Sequence, residues 1–284
     1  MEKIINSNPK INGCPLPTLS IILCINRTNP WLLEALESVL AQDDPDFEFL
    51  IAANACTDEL WGWLHTVLAA DKRVRLFRTS IGQLAFNLNF LADQAHGDYL
   101  VRMDSDDVCE PHRLRTLRHA LAQDPVDILG SAALLINAEG KSIGQITFPE
   151  NSKEISRALL SRTAFCHPTV ALRRVFLLEM RGYLGGFTSE DTDLWLRANK
   201  AKARMRNLPQ VLLRYRVHAN QTTTSRSGYP EVAAHWLREL LLQRNWYNAR
   251  GFVISLAKAL FSRVLPGISR YRRKQHNDKL EQEL

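Results

Sequence analysis

Apolar positions in the first hundred residues follow two periods that alternate along the chain. Leu19–Ile25 (LSIILCI) and Phe47–Ala53 (FEFLIAA) are apolar almost throughout, the pattern of strands buried on both faces. Arg73–Phe77 and Tyr99–Met103 are shorter strand candidates. Between these runs the apolar spacing is helical. Asn29-Pro30 starts a helix that runs to about Gln42, with proline in its first turn. Thr57-Asp58 open the next with side-chain acceptors, and a third spans about Gly82–Ala95. Strand–helix–strand repetition predicts right-handed crossovers and a largely parallel sheet.

After Pro125 the pattern becomes mixed. Val126–Ile136 reads as a strand with a hairpin return between Gly140 and Phe148. Ser152–Ser161 and Asp191–Lys200 read as helices, and Val211–Val217 as a final strand. Asn220–Gly228 is polar and reads as a loop, with helices expected over Pro230–Asn248 and Phe252–Val264 before a charged tail. The fold class expected is α/β: a Rossmann-like, mixed but mostly parallel sheet flanked by helices, with a C-terminal helical extension. The expected divisions are a tail over 1–18, a main domain over 19–222, and helices with a basic tail over 223–284.

Composition narrows the function classes. A length of 284 residues with 45% hydrophobic content suits one large globular domain with a real core. The five cysteines are scattered without a CxxC pair, which favours reduced thiols over a disulfide scaffold or a zinc site. The opening residues hold no apolar stretch of signal-peptide length, and no uncharged run reaches the roughly 18–20 residues of a membrane span, so a cytoplasmic protein is expected. The net charge of +6 is concentrated: Arg157–Arg216 contains twelve Lys/Arg and four Asp/Glu. Such a segment attracts phosphates or an anionic membrane face, and no nucleic-acid-binding motif accompanies it.

Three constellations carry chemistry. Asp104-Ser105-Asp106 follows a buried strand directly, and ligands of parallel sheets collect at carboxyl ends of strands. Two carboxylates there can hold Mg²⁺ or Mn²⁺ together with substrate phosphates; the bland reading is a solvated turn or helix cap. Glu190-Asp191-x-Asp193-Leu194-Trp195 follows a Gly-rich stretch, and a carboxylate in the first turn of a helix can act as a general base or merely cap. On a strand, Arg214, Arg216 and His218 share one face, suited to phosphate contacts and, at His218, to a metal. His167-Pro168 either lines a pocket or packs.

Taken in order, these fragments resemble the bacterial-type family 2 glycosyltransferases, which have the GT-A fold. The resemblance runs from about Ser20 to Thr222. It rests on Ser20-Ile21-Ile22 with Asn26-Arg27, Leu36–Gln42, Thr57-Asp58, Arg102–Asp107, His167-Pro168-Thr169, Gly182-Tyr183, Glu190–Trp195 and Leu213–His218. It implies an inverting transfer of a sugar from a nucleotide-diphosphate donor, UDP-sugar favoured, to a hydroxyl of a glycan or lipid-linked acceptor in cell-surface polysaccharide biosynthesis. Asp191 is then the catalytic base. Asp106, Asp104 and His218 hold Mn²⁺ or Mg²⁺. Asn26, Arg27, Asn54, Arg102, Asp104 and Arg216 line the donor site, and His167, Glu190 and Trp195 line the acceptor or donor pocket.

Two departures stand out. Leu23-Cys24-Ile25 replace the family's Pro-Thr-Tyr, and Ala53-Asn54-Ala55-Cys56 stand where two acids usually precede Gly-Ser. Both positions normally hold the nucleobase; the Asn54 amide can still donate to and accept from uracil. These departures motivate an alternative, a catalytically degenerate homologue acting as a binding protein. A sugar-nucleotide pyrophosphorylase would need a Gly-rich phosphate loop after the first strand, and Cys24–Pro30 has none. Gln243-Arg244-Asn245-Trp246 differs in spacing from the Gln-x-x-Arg-Trp element of processive members, so a single-sugar transferase is expected over a polymer synthase. Phe252, Leu256, Leu260 and Val264, with basic residues around and after them, suit either a peripheral membrane contact or a helix packed on the main domain.

Overall fold

The computed structural model describes residues 10–11, 14–186, 188–218 and 228–261. A short ribbon pairs β1 (Lys10–Ile11) with β2 (Cys14–Pro15). The main body then alternates: β3 (Leu19–Ile25), α1 (Leu32–Leu40), β4 (Phe47–Asn54), α2 (Asp58–Leu68), β5 (Val74–Thr79), α3 (Leu84–Gln94) and β6 (Tyr99–Met103). Next come β7 (Val108–Cys109), α4 (Arg113–Gln123), β8 (Ile128–Ile136), β9 (Ser142–Ile146) and α5 (Ser152–Leu159). A single 3₁₀ turn, His167–Thr169, leads into β10 (Ala171–Arg173) and α6 (Arg174–Glu179). The described chain continues with α7 (Glu190–Lys200), β11 (Met205–Arg216), α8 (Gly228–Leu242) and α9 (Trp246–Phe261).

Strand order in the large sheet is β5-β4-β3-β6-β10-β8-β11-β7, with β9 paired to β8. β3 is parallel to β4 and to β6, and β4 to β5. β10 is antiparallel to both β6 and β8, while β8 and β11 are parallel to each other. β3, β4, β6, β8 and β11 therefore all end on the same edge of the sheet, which is where an open α/β sheet collects its ligand.

Burial on both faces explains the apolar strand sequences. Leu19, Ile21, Leu23 and Ile25 join one core with α1, α2 and α4. Ile22 faces the other way, into a core shared with α3, α5, α7 and Trp236 of α8. The helices are thus held on both faces, as the alternating pattern implied.

Several boundaries moved. β3 and β6 match their sequence-derived spans, and Thr57 caps α2 by accepting the Leu60 N–H. α1 begins at Leu32, two residues after Pro30, because Asn29 Oδ1 accepts the Trp31 N–H and holds the entry turn outside the helix. β11 starts at Met205, six residues before the expected Val211. Register shifts around Pro209-Gln210 interrupt its pairing with β8 and hide the strand from pattern reading. The two helices expected over Pro230–Asn248 and Phe252–Val264 are both present, but the break between them falls earlier, between Leu242 and Trp246. Asn245 Oδ1 accepts the Asn248 N–H at the start of α9, and the Asn248 amide donates to the Glu239 and Gln243 carbonyls at the end of α8. The loop reading for Asn220–Gly228 lies outside the described residues apart from Gly228, which opens α8; residues beyond Phe261 also lie outside them.

The α8–α9 hairpin is fastened to the main body. Asp193 of α7, 1% exposed, accepts from Arg197 at 2.8 Å and from Arg238 of α8 at 2.5 Å. Lys200 of α7 pairs with Glu239 of α8 at 3.1 Å. Gly251 lets α9 approach the buried Trp236 ring, which a Cβ at that position would meet at 2.3 Å. Gly251→Val is therefore expected to lower stability by about 1–3 kcal/mol in chemical denaturation, the range for overpacking a tight contact. An unchanged midpoint would mean that the hairpin does not depend on this contact.

Candidate active site

The acidic run Asp104-Ser105-Asp106-Asp107 begins at the end of β6, on the shared carboxyl edge. Its three carboxylates take different partners. Asp104 pairs with Arg102, whose guanidinium is buried and also donates to the Met103 carbonyl. Asp106 Oδ2 lies 2.8 Å from His218 Nε2, just past the end of β11. Asp107, 1% exposed, accepts the Arg216 backbone N–H at 2.8 Å, and its Oδ2 has no hydrogen-bond partner. Burial raises the Asp104 carboxyl, against the lowering effect of Arg102. Burial followed by the charges of Asp104 and Asp106 pushes Asp107 well above the carboxylate range.

Arg216 fixes the surroundings. Its guanidinium donates to the Asp106 carbonyl at 2.8 Å, to the Asn137 and Ala138 carbonyls at 3.2 and 3.3 Å, and to Glu34 of α1 at 2.6 Å. It also lies over the Trp31 ring, 5.2 Å from its centroid. The same Trp31 packs against His218 at 4.5 Å and donates its indole N–H to the Ala138 carbonyl. Asn29 donates to the Ser105 carbonyl and hydroxyl at 3.2 and 3.1 Å, tying the loop after β3 to the acidic turn. Arg214, expected on the same face, instead pairs at the surface with Glu110 at 2.8 Å.

The second carboxylate group sits in the first turn of α7, as its sequence implied. Glu190 is buried, and that burial, reinforced by the Asp191 charge, pushes its carboxyl up to about 7. Asp191 is half-buried and also raised by desolvation, opposed by the Thr192 backbone N–H at 2.6 Å. The Trp195 indole N–H is buried beside Asp191 and favours its charged form without completing a well-formed hydrogen bond. Glu190 also feels the charges of Arg102 and Asp104, so the two acidic groups share one electrostatic neighbourhood.

His167 lies in the 3₁₀ turn, its Nε2 2.9 Å from the Tyr183 hydroxyl. Burial and the nearby Arg102 charge hold its imidazole well below the usual range, so it is neutral. Tyr183 is placed by Asn89, which accepts its N–H at 2.8 Å and donates to its carbonyl at 2.9 Å. Gly182, at φ +68°, admits that approach; a Cβ there would meet Asn89 Oδ1 at 2.2 Å.

At the ends of the central strands, Asn26 and Arg27 are exposed just past β3. Asn54 closes β4, buried, with an Oδ1 that lacks a hydrogen-bond partner. The residues expected to hold a metal divide: Asp106 and His218 stand together, while Asp104 is engaged by Arg102. Among the described residues no three His, Cys, Asp or Glu side chains cluster as a metal site. The sequence reading had missed Asn29, Trp31, Glu34 and Tyr183. An aromatic residue just past a buried parallel strand was the available signal for Trp31, and the Gly182-Tyr183 pair was the signal for Tyr183, though no site role was drawn from it; Glu34 gave none.

Comparison with known proteins identifies the family and the fold. The pattern described as "Glycosyl transferase family 2" matches residues 20–182. The O-antigen biosynthesis glycosyltransferase WbnJ of Escherichia coli is 35% identical over 249 residues, covering 86% of this chain and 97% of the relative. The UDP-Gal:alpha-D-GlcNAc-diphosphoundecaprenol beta-1,3-galactosyltransferase of Escherichia coli is 26% identical, covering 88% of this chain and 92% of its own. Among solved structures, S. aureus TarS 1-349 in complex with UDP-GlcNAc aligns with a TM-score of 0.67 at 17% identity, over 90% of this chain and 78% of that one. The mannosyltransferase PcManGT from Pyrobaculum calidifontis, in complex with GDP-Man and Mn2+, aligns at 0.60 with 15% identity, over 93% and 80%. These two likenesses concern the fold, which is the GT-A arrangement. The chain belongs to glycosyl transferase family 2 and is a glycosyltransferase.

Proposed function

We propose that the chain transfers a sugar, with inversion, from a UDP-sugar to a hydroxyl of a lipid-linked glycan acceptor during assembly of a surface polysaccharide. The observation that carries this reading is the placement of the Asp106–His218 pair and the first-turn Asp191 around one carboxyl edge. The activities of the two Escherichia coli relatives, O-antigen biosynthesis and galactosyl transfer to a diphosphoundecaprenol acceptor, support the substrate classes. The UDP-GlcNAc complex of the structural neighbour supports the nucleotide.

Asp106 and His218 are the residues that would hold a hard divalent cation such as Mn²⁺ or Mg²⁺. Mn²⁺ or Mg²⁺ held there supplies charge neutralisation for the departing UDP. Asn54, whose Oδ1 lacks a partner within the protein, meets the uracil edge, with Asn26 and Arg27 beside the nucleotide. Asp104, fixed by Arg102, faces the donor. Arg216 has a positioning role: it holds the Asp106 turn and the His218 strand end against each other.

Asp191 removes the proton of the acceptor hydroxyl as that oxygen attacks the anomeric carbon. Its raised affinity for protons makes it a stronger base than an exposed carboxylate, and the Thr192 N–H keeps it oriented. His167, neutral and bonded to Tyr183, borders the sugar pocket; Trp195, expected in that pocket, is instead fully buried in the core and packs edge-on behind His167.

Two outcomes check this reading. Asp191→Asn is expected to lower UDP-sugar turnover by about 10²–10⁴-fold in a Mn²⁺-containing UDP-release assay, with UDP binding within roughly threefold of wild type by calorimetry. Full activity in this variant would remove Asp191 from the chemistry. The second outcome concerns Glu190, whose carboxyl titrates from an ordinary 4.5 up to about 7 in the folded chain. The folded state then keeps a proton that the unfolded state has lost, so stability falls as pH rises through that interval. Without donor, Glu190→Gln is expected to gain on the order of 1–3 kcal/mol over wild type between roughly pH 5 and pH 8 in thermal unfolding. A pH-independent difference would place Glu190 in an ordinary, solvated environment.

A further inference from the structure

α9 carries apolar side chains on both faces: Tyr247 and Phe252 pack against the core, while a separate apolar stripe is left facing outward. The face of α9 that packs inward carries Asn248, Gly251 and Ser255, all buried. The outward face carries Trp246 at 85% exposure, Val253 at 63% and Leu260 at 62%, with Phe261 beside them. Trp246, Val253 and Leu260 are spaced by seven residues and so share one helical face. Leu241 and Leu242, exposed at the end of α8, precede this stripe by a few residues. Single exposed apolar side chains are ordinary, but a contiguous helical stripe that includes tryptophan marks an interaction surface.

Charge identifies the kind of partner. Leu240–Asn277 contains eight Lys/Arg and no Asp/Glu. Arg244 and Arg250 are exposed among the stripe residues. An apolar face flanked by cations of one sign, with tryptophan among its residues, is the pattern of a helix lying in the interface of an anionic bilayer. A second copy of the chain fits poorly. A two-fold contact sets a patch against itself, and here that would bring the exposed Arg244 and Arg250 of each copy together.

Orientation adds a functional link. α9 runs antiparallel to α8: Asn248 bonds the Glu239 carbonyl, and one turn on Gly251 packs on Trp236. α8 starts against the site, where Glu231 accepts from the Ser189 hydroxyl at 2.7 Å and from the Thr188 N–H at 3.1 Å. The Leu260–Phe261 end of the stripe therefore returns towards the level of Ser189, two residues before Asp191. We infer that α9 is a peripheral docking helix that rests its Trp246–Val253–Leu260 face in the headgroup region of an anionic membrane. Its long axis lies along the surface, so a lipid-borne acceptor is presented on the side of the site that bears Asp191. The docking surface is independent of which nucleotide the site uses.

The test is cosedimentation of the full chain with large unilamellar vesicles, either phosphatidylcholine alone or a two-to-one mixture with phosphatidylglycerol. The wild type is expected to bind the mixed vesicles, more weakly at high salt, and to bind the neutral vesicles poorly. A Trp246→Ser/Val253→Ser/Leu260→Ser variant, shown to be folded by an unchanged melting temperature, is expected to partition at least about tenfold less. Equal binding by this variant and wild type would overturn the proposal. So would failure of the wild type to bind mixed vesicles, or a wild-type dimer that the variant dissociates while vesicle binding stays the same.

Discussion

A guanidinium buried at the end of the last described strand organises the catalytic edge. Arg216 is 1% exposed, and a buried cation with several N–H donors needs acceptors in fixed directions. It takes them from the acidic turn after β6, from the end of β8 and from Glu34 of α1, and it lies over Trp31. Its own backbone N–H goes to Asp107. Three segments far apart in sequence are thereby brought within one side chain's reach. His218, two residues further along, arrives beside Asp106 as a consequence of that arrangement.

The same logic sorts the carboxylates. Adjacent acids would repel if left equivalent, and each of the three after β6 is given a different neighbour: Arg102, His218 or the Arg216 backbone. On α7, Asp193 is enclosed and consumed by two arginines as a structural tie to α8. Asp191 keeps a polar, half-buried position beside Trp195, and Glu190 is buried enough to hold a proton near neutrality. A motif that reads as one acidic cluster thus contains one structural and two chemically available carboxylates.

Much of this was legible from local pattern. The ends of β3 and β6, the Thr57 cap and the first-turn position of Asp191 follow from periodicity and capping chemistry that a few neighbouring residues determine. The family order of motifs carried the fold across the less regular second half. What could not be read depends on contacts distant in sequence. Trp31 meets Ala138, Arg216 meets Glu34, and Tyr183 meets Asn89. Local features also misled: the Pro209-Gln210 irregularity hid the first half of β11, and the Asn245–Asn248 cap sets the break between the two C-terminal helices earlier than expected. The division of the expected metal set follows from a local pair instead: Arg102, two residues before Asp104 and on the same strand face, takes that carboxylate.

The proposed function depends most on Asp106 and His218, held beside each other by the frame built on Arg216, taking up Mn²⁺ together with the donor nucleotide. Electron paramagnetic resonance of free Mn²⁺, titrated with the full chain in the presence and absence of UDP, tests it directly. The account predicts weak Mn²⁺ uptake by the chain alone, a marked gain when UDP is added, and loss of that gain in Asp106→Asn. Mn²⁺ uptake that is indifferent to UDP, or a UDP-dependent gain that survives Asp106→Asn, would contradict it.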